Sequence, residues 1–162
     1  MSQSPLILPE ERIQGTYPEF QKEIKQRSIE CQIALDNDAA CRRQGLHPYF
    51  LNPAKAQFVI QTFCKECLVR QYCLDLALID QIEPGTWGGF DEFYRKGILT
   101  ATRREFCAKN PDVSPSILPS HHPDFWNLLQ LRFTQAAKSP KRLYTKLGIP
   151  LRKSKDKNYL AL

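Results

Sequence analysis

FCKECLVRQYC, residues 63–73, packs three thiols into eleven residues. Cys64 and Cys67 form a C-x2-C pair, and Cys73 follows after five more residues. Elsewhere the cysteines are sparse. Six in 162 residues fall well short of a small secreted disulfide scaffold. The opening MSQSPLILPEER lacks a basic segment followed by a long apolar one, so no secretory signal is expected. No apolar run approaches the ~18 residues that cross a bilayer. A cytoplasmic chain with reduced thiols is expected, and clustered reduced thiols hold a metal or trade electrons.

In one unbroken helix, Cys73 would sit about 240° around the axis from Cys67. The three thiols therefore converge only if a helix boundary falls near Leu68 to Gln71. A fourth ligand would come from Cys31, Cys41 or Cys107. Three chemistries compete. An iron–sulfur cluster takes four thiolates at irregular spacing, which suits this pattern. Structural zinc favours two short-spaced pairs, and here there is one. A redox dithiol of the C-x-x-C type wants a βαβ context, which the sequence lacks. Spacing favours the cluster over zinc and zinc over the dithiol, and leaves all three open.

Upstream, Thr16 and Glu19 have capping-box spacing, with Thr16 as N-cap. Phe20, Ile24, Cys31 and Leu35 then recur near helical spacing. DNDAA (36–40) breaks this helix, and GLHPYFLNP (45–53) reads as a loop. AKAQFVIQTF (54–63) is a second helical stretch leading into the cysteines. LDLALIDQI (74–82) is a third, stopped by Pro84 and Gly85. GTWGG (85–89) must turn, because three glycines in five residues suit neither helix nor strand. A helix over 90–106 follows, with Phe90, Phe93, Tyr94, Gly97, Ile98 and Ala101 on one face and Arg95, Lys96 and Arg103 outside. Four prolines in residues 110–123 predict a linker or extended loop. Two more helices are expected, 123–138 with Pro123 in its first turn and 140–147 between Ser139 as cap and Gly148 as stop. Strand-like alternation is scarce. The expected class is all-α.

Charge is uneven. Residues 1–90 carry 9 Lys+Arg against 11 Asp+Glu, and residues 91–162 carry 14 against 6. A basic half of this kind meets a polyanion, most often nucleic acid, or is a solvated tail. Arg95, Lys96, Arg103 and Arg104 lie on the helix after the glycine turn. Lys138, Lys141, Arg142, Lys146, Arg152, Lys153, Lys155 and Lys157 form a denser cluster beyond it. These are the candidate phosphate contacts, which give salt-dependent affinity without reading sequence. The helices 123–138 and 140–147 could form a small helix-turn-helix or simply pack on the core. His47 reads as a loop residue, and His121 and His122 stand at a helix entry and need no metal. No Ser-His-Asp set, phosphate-cradling glycine loop or carboxylate pair stands out, so an enzyme is not expected.

DAACRRQGLHPYF, FCKECLVRQYC, the LDLAL after it, and GTWGG followed by a basic helix together resemble the WhiB-like family. These are small, mostly helical iron–sulfur transcription regulators of actinobacteria and their phages. The resemblance covers roughly residues 38–106. It implies a 38–106 domain organised around a 4Fe-4S cluster; the 1–37 helical segment before it and the basic helical extension over 107–162 after it lie outside the resemblance and rest on periodicity and charge. Carried over residue by residue, it assigns the four thiolates to Cys41, Cys64, Cys67 and Cys73. Cys31 is then a core position and Cys107 is spare. It further implies docking, as a monomer, on the C-terminal domain of the primary sigma factor of RNA polymerase. The matching positions are Trp87 in its turn of Gly85, Gly88 and Gly89, with Tyr49 and Phe50 beside the first cysteine. Trp87 at the tip of a rigid turn would anchor that partner; the alternative is that it packs over the cluster. A redox- or nitric-oxide-responsive regulator that also touches promoter DNA is the function implied. The rivals are a zinc-stabilised DNA-binding protein and a protein disulfide reductase working through Cys64 and Cys67. The sequence departs from the family at Thr86, where valine or isoleucine is usual, and at Leu68, where proline commonly follows the pair.

Overall fold

The computed structural model describes residues 17–43 and 58–152. Its helices are α1 (Pro18–Asp38), α2 (Ala40–Arg43), α3 (Arg70–Ile79), α4 (Glu92–Lys109), α5 (Pro123–Lys138) and α6 (Pro140–Leu147), with a π-helical turn at Ile60–Cys64 before α3. No strand occurs among the described residues. The fold is all-α, as expected.

Helix α1 starts with Tyr17 as N-cap and Pro18 in the first turn, where a missing N–H costs nothing. The expected cap Thr16 lies outside the described residues. Ile24, Cys31 and Leu35 are buried along one stripe, and the helix stops at an extended Ala39. Helix α3 lies on α1 and is apolar on two sides. Leu74 and Leu78, one turn apart, enter the larger core. Leu76 and Ala77 enter a smaller one with Cys31, Leu35, Ala39, Val69 and Trp87. An apolar run broken only by Asp75 suits a helix that serves as the wall between two cores. The helix ends at Ile79, earlier than Pro84 would require, because Gln81 takes the left-handed conformation at φ 55°.

The larger core joins α3 and α4 to α5 and α6 through Phe90, Ile98, Phe125, Leu129, Phe133, Leu143 and others. Asp91 caps α4, accepting from Tyr94 N at 2.9 Å. Tyr94 and Tyr144 stack with centroids 4.4 Å apart. Helix α6 ends as read, with Gly148 at φ 70°. Of the two alternatives for 110–123 the loop holds and the free linker does not: Ile117 and Pro119 are buried, and Arg103 Nε donates to Ile117 O at 2.9 Å. Prolines here shape a packed connection rather than a spacer. The same core runs from Leu74 to Ile149, across the expected boundary at 106/107. No helix among the described residues is long and apolar enough to cross a membrane.

Candidate metal centre

The helix boundary that three converging thiols require is present. The π-helical turn ends at Cys64, and two tight turns follow, closed by Cys67 N–H to Cys64 O and by Arg70 N–H to Cys67 O, both at 3.3 Å. Helix α3 then starts at Arg70 and carries Cys73 on its first turn. Leu68 sits in this bend with its side chain 91% exposed, so the bend closes without proline. Cys41 arrives on the short helix α2, placed by the break at Ala39.

Cys41, Cys64, Cys67 and Cys73 line one cavity. Leu35, Ala39, Val59, Phe63 and Val69 supply apolar walls; Arg70, Thr86 and Gly88 complete them. None of the six cysteines is in a disulfide. No group of three or more His, Cys, Asp or Glu side chains among the described residues is arranged to hold a metal ion. Burial pushes the Cys64 thiol up to about 12, reinforced by neighbouring Cys41 and Cys67, while Arg70 and the Gly89 N–H pull it down. Burial likewise pushes Cys73 to about 12, against the pull of the Gly88 N–H. Such thiols stay protonated until a cation replaces the protons.

The glycine turn forms the lid of this cavity. Trp87 and Phe90 exchange two backbone bonds at 3.0 and 3.1 Å across Gly88 and Gly89, whose φ values are 60° and 84°. Both positive angles belong to a tight two-residue hairpin turn, which glycine enters with least strain. Gly88 N–H donates to Cys73 Sγ at 3.2 Å. A Cβ on Gly88 would overlap Leu74 Cβ, and one on Gly89 would lie 2.7 Å from Arg70 Nη2.

Two expectations are corrected. Trp87 is not an exposed tip: it is 1% exposed, packs with Cys31, Leu35 and Val69, and donates from Nε1 to Pro84 O at 2.9 Å. An indole is too large and apolar to stay in water when a core lies beneath the turn. Arg95, expected to meet DNA, is 4% exposed. Its guanidinium donates to Gly85 O at 3.0 Å, Phe90 O at 3.1 Å, Ile82 O at 3.0 Å and Glu83 O, holding the whole segment between α3 and α4. Helical periodicity put Arg95 outside, but periodicity cannot foresee a ring of carbonyls waiting for a buried cation.

The other basic candidates divide. Lys96, Arg104, Lys141, Arg142 and Lys146 are exposed. Arg103 is engaged with Ile117, and Arg152 pairs with Asp91 at 3.4 Å and lies over the Phe93 ring. Tyr49, Phe50, Lys153, Lys155 and Lys157 lie outside the described residues, as does His47. Cys31 is buried in the smaller core, and Cys107 donates to Ser114 O at 3.4 Å, away from the cavity. Two site residues escaped the sequence reading. Arg70 is signalled only by being a cation between the cysteines, and Thr86 only by standing where valine or isoleucine is usual.

Residues 36–98 match the family model described as Transcription factor WhiB. The transcriptional regulator WhiB4 of Mycobacterium tuberculosis, in strains CDC 1551 / Oshkosh and ATCC 25618 / H37Rv, is 35% identical over 75 residues. That match covers 45% of this chain and 63% of the relative. The chain thus spans under two thirds of the length of these curated relatives. No solved structure matches. The break at Ala39, the cysteine-bearing bends, α3 and the glycine turn all fall inside the matched segment, so it is residues 36–98 that are similar to the WhiB family.

Proposed function

We propose that this chain is a transcription regulator that holds a 4Fe-4S cluster through Cys41, Cys64, Cys67 and Cys73. The observation that carries the reading is the single apolar cavity walled by those four thiols. A lone zinc ion needs its sulfurs to converge within about 2.3 Å of one point. Four cysteines at irregular spacing around one apolar cavity suit a cluster better than the two short-spaced pairs that zinc favours. When bound, the cluster supplies one-electron chemistry. The chain's own residues release thiol protons, exclude water with Leu35, Val59 and Val69, and aim the Gly88 N–H at a ligand sulfur. The thiols are also the basis of a redox- or nitric-oxide-responsive switch, since without metal they can oxidise to disulfides.

Transcription regulation is supported by the likeness of residues 36–98 to the WhiB model and to regulators of that name. Docking on the C-terminal domain of the primary sigma factor is the partner reading. In it, Trp87 acts from beneath by fixing the shape of the Gly85 to Gly89 turn, not by touching the partner. DNA contact falls to the groove between α5 and α6, where Lys138, Arg142 and Lys146 face the same space with no carboxylate among the lining residues. These cations neutralise phosphates without specifying bases.

Iron, zinc and acid-labile sulfide on anaerobically purified full-length protein test the cofactor. Iron and sulfide near about four per chain, both lost in Cys41→Ser, is the expected result. Zinc without sulfide would sink the cluster and leave a zinc-stabilised DNA-binding protein. Thiol-substrate turnover that vanishes in Cys64→Ser or Cys67→Ser would instead favour the disulfide reductase.

A further inference from the structure

Two hydrogen-bond donors in the wall of the cysteine cavity have no acceptor. Arg70 Nη2 and Thr86 Oγ1 are both buried and both lack a partner, and both residues line the cavity with the four thiols. Buried donors are almost always satisfied, because an unsatisfied one forfeits its bond to water without replacement. Each is also held in place by neighbours that leave it little freedom. Arg70 Nε donates to Gly88 O at 2.9 Å, which fixes the plane of the guanidinium, and the group fills the space that a Cβ on Gly89 would need. Thr86 is 3% exposed, between Gly85 and the buried Trp87. The walls otherwise offer carbon and thiol sulfur, so the missing acceptors belong to whatever occupies the cavity.

We propose that Arg70 and Thr86 are positioning residues for the occupant of this cavity, their Nη2 and hydroxyl donors reserved for the sulfur atoms of a four-thiolate cluster whose reduced form they stabilise. The proposal rests on the cluster reading above. Four thiolates around a 4Fe-4S core leave the assembly negative, and adding one electron makes it more so. Donors aimed at sulfur stabilise the more negative form and raise the reduction potential. Gly88 N–H already makes such a bond to Cys73 Sγ at 3.2 Å. Arg70 adds a fixed positive charge in a low-dielectric wall, where its effect is larger than at a surface. The same bonds slow loss of iron, because a released cluster would leave both donors unsatisfied again.

The test uses full-length, cluster-loaded protein, with Thr86→Val, Arg70→Met and Arg70→Lys compared with the parent. Thr86→Val removes one donor and keeps the shape, so the variant is expected to load iron and sulfide fully. Its midpoint potential, titrated anaerobically against mediators and followed by visible absorbance, should fall below the parent's. Iron release to a chelator should be several-fold faster. Arg70→Met should shift both readouts further in the same direction, and Arg70→Lys, which restores charge without the planar fork, should recover part of the potential. Parent-like potentials and release rates in both Thr86→Val and Arg70→Lys would overturn the proposal and leave Arg70 as a brace for the turn. Should Arg70→Met fail to fold, the other two decide. Absence of iron and sulfide from the parent protein would overturn the cluster reading itself, a different result from a loaded parent with unshifted variants.

Discussion

Arg27 holds one oxygen of Asp75 with two N–H bonds, Nη2 at 2.8 Å and Nε at 3.1 Å, and so ties α1 to α3. The other carboxylate oxygen accepts from Gln71 Nε2 at 2.7 Å and Gln130 Nε2 at 2.9 Å, which brings α5 to the same point. Asp75 is 3% exposed inside an otherwise apolar helix, so its charge is tolerable only while these donors stay. Arg27→Met should cost about 2 kcal/mol, in the range of a charged hydrogen bond partly open to solvent. Because α1 carries Leu35 and leads to Cys41, iron retention should fall with it. Urea unfolding and iron content of the variant measure the two effects.

The glycines separate by what lies around them. Gly88 and Gly148 both have positive φ, at 60° and 70°. A Cβ on Gly88 would overlap Leu74 Cβ and crowd Arg70 O at 3.0 Å, whereas one on Gly148 meets nothing within 4 Å. Gly148→Ala should cost about 1 kcal/mol, the left-handed penalty alone. Gly88→Ala adds a core clash to that penalty and should lose at least about 3 kcal/mol. It should also lose the bond to Cys73. Thermal melts of both variants give the contrast, and equal losses would mean that the Gly88 turn relaxes away from α3.

Much of this was legible in the sequence because local rules decided it. The bend between Cys67 and Cys73 followed from helical pitch, since thiols about 240° apart cannot share a face. Pro123, Pro140 and Gly148 punctuated their helices as their backbone chemistry requires. What could not be read was which polar groups the fold would bury. Arg95 looked like a solvent-facing cation until the carbonyls of residues 82–90 closed around it, and that ring is a product of tertiary structure. Trp87 faced the same problem from the other side: a turn residue is exposed by default, unless a second core forms beneath it. Thr86 matched its apolar alternatives in shape, and only the cavity gives its hydroxyl meaning.

The six cysteines should sort into four and two. Serine at Cys41, Cys64, Cys67 or Cys73 should remove bound iron, because each side chain faces the cavity. Cys107→Ser should leave iron content unchanged. Cys31→Ala should also keep iron while losing about 1 kcal/mol of stability, the burial of a small apolar group. Iron loss in Cys31→Ala without unfolding would mean that the assignment of Cys41 is wrong.

If the groove between α5 and α6 carries DNA contact, charge removal there should act on salt dependence rather than on sequence preference. Arg142→Ala and Lys146→Ala should each reduce the slope of log affinity against log salt by about one. Arg95→Lys should leave that slope unchanged in whatever fraction remains folded, since its guanidinium faces carbonyls. Fluorescence anisotropy over a salt series with two unrelated duplexes measures the slope and the preference together.

His122 makes the fold acid-sensitive at the start of α5. Its Nδ1 accepts from Asp124 N at 3.1 Å as the helix cap, while Tyr17 Oη lies 3.2 Å from Nε2 and the ring meets the edge of Phe106. The cap works only with a neutral acceptor nitrogen. Burial lowers the His122 pKa from its ordinary 6.5, with nearby Asp124 opposing, and burial lowers that of His121 as well. A depressed folded pKa means the unfolded chain binds the proton more readily. The stability is therefore present above the unfolded value and is lost as pH falls below it. Urea midpoints should decline between about pH 7.5 and pH 5.5, a window above most carboxylate titrations. His122→Asn keeps a capping acceptor that cannot be protonated. Its midpoint should match the parent at the upper pH and fall less at the lower one. An undiminished fall would assign the acid sensitivity to His121 instead.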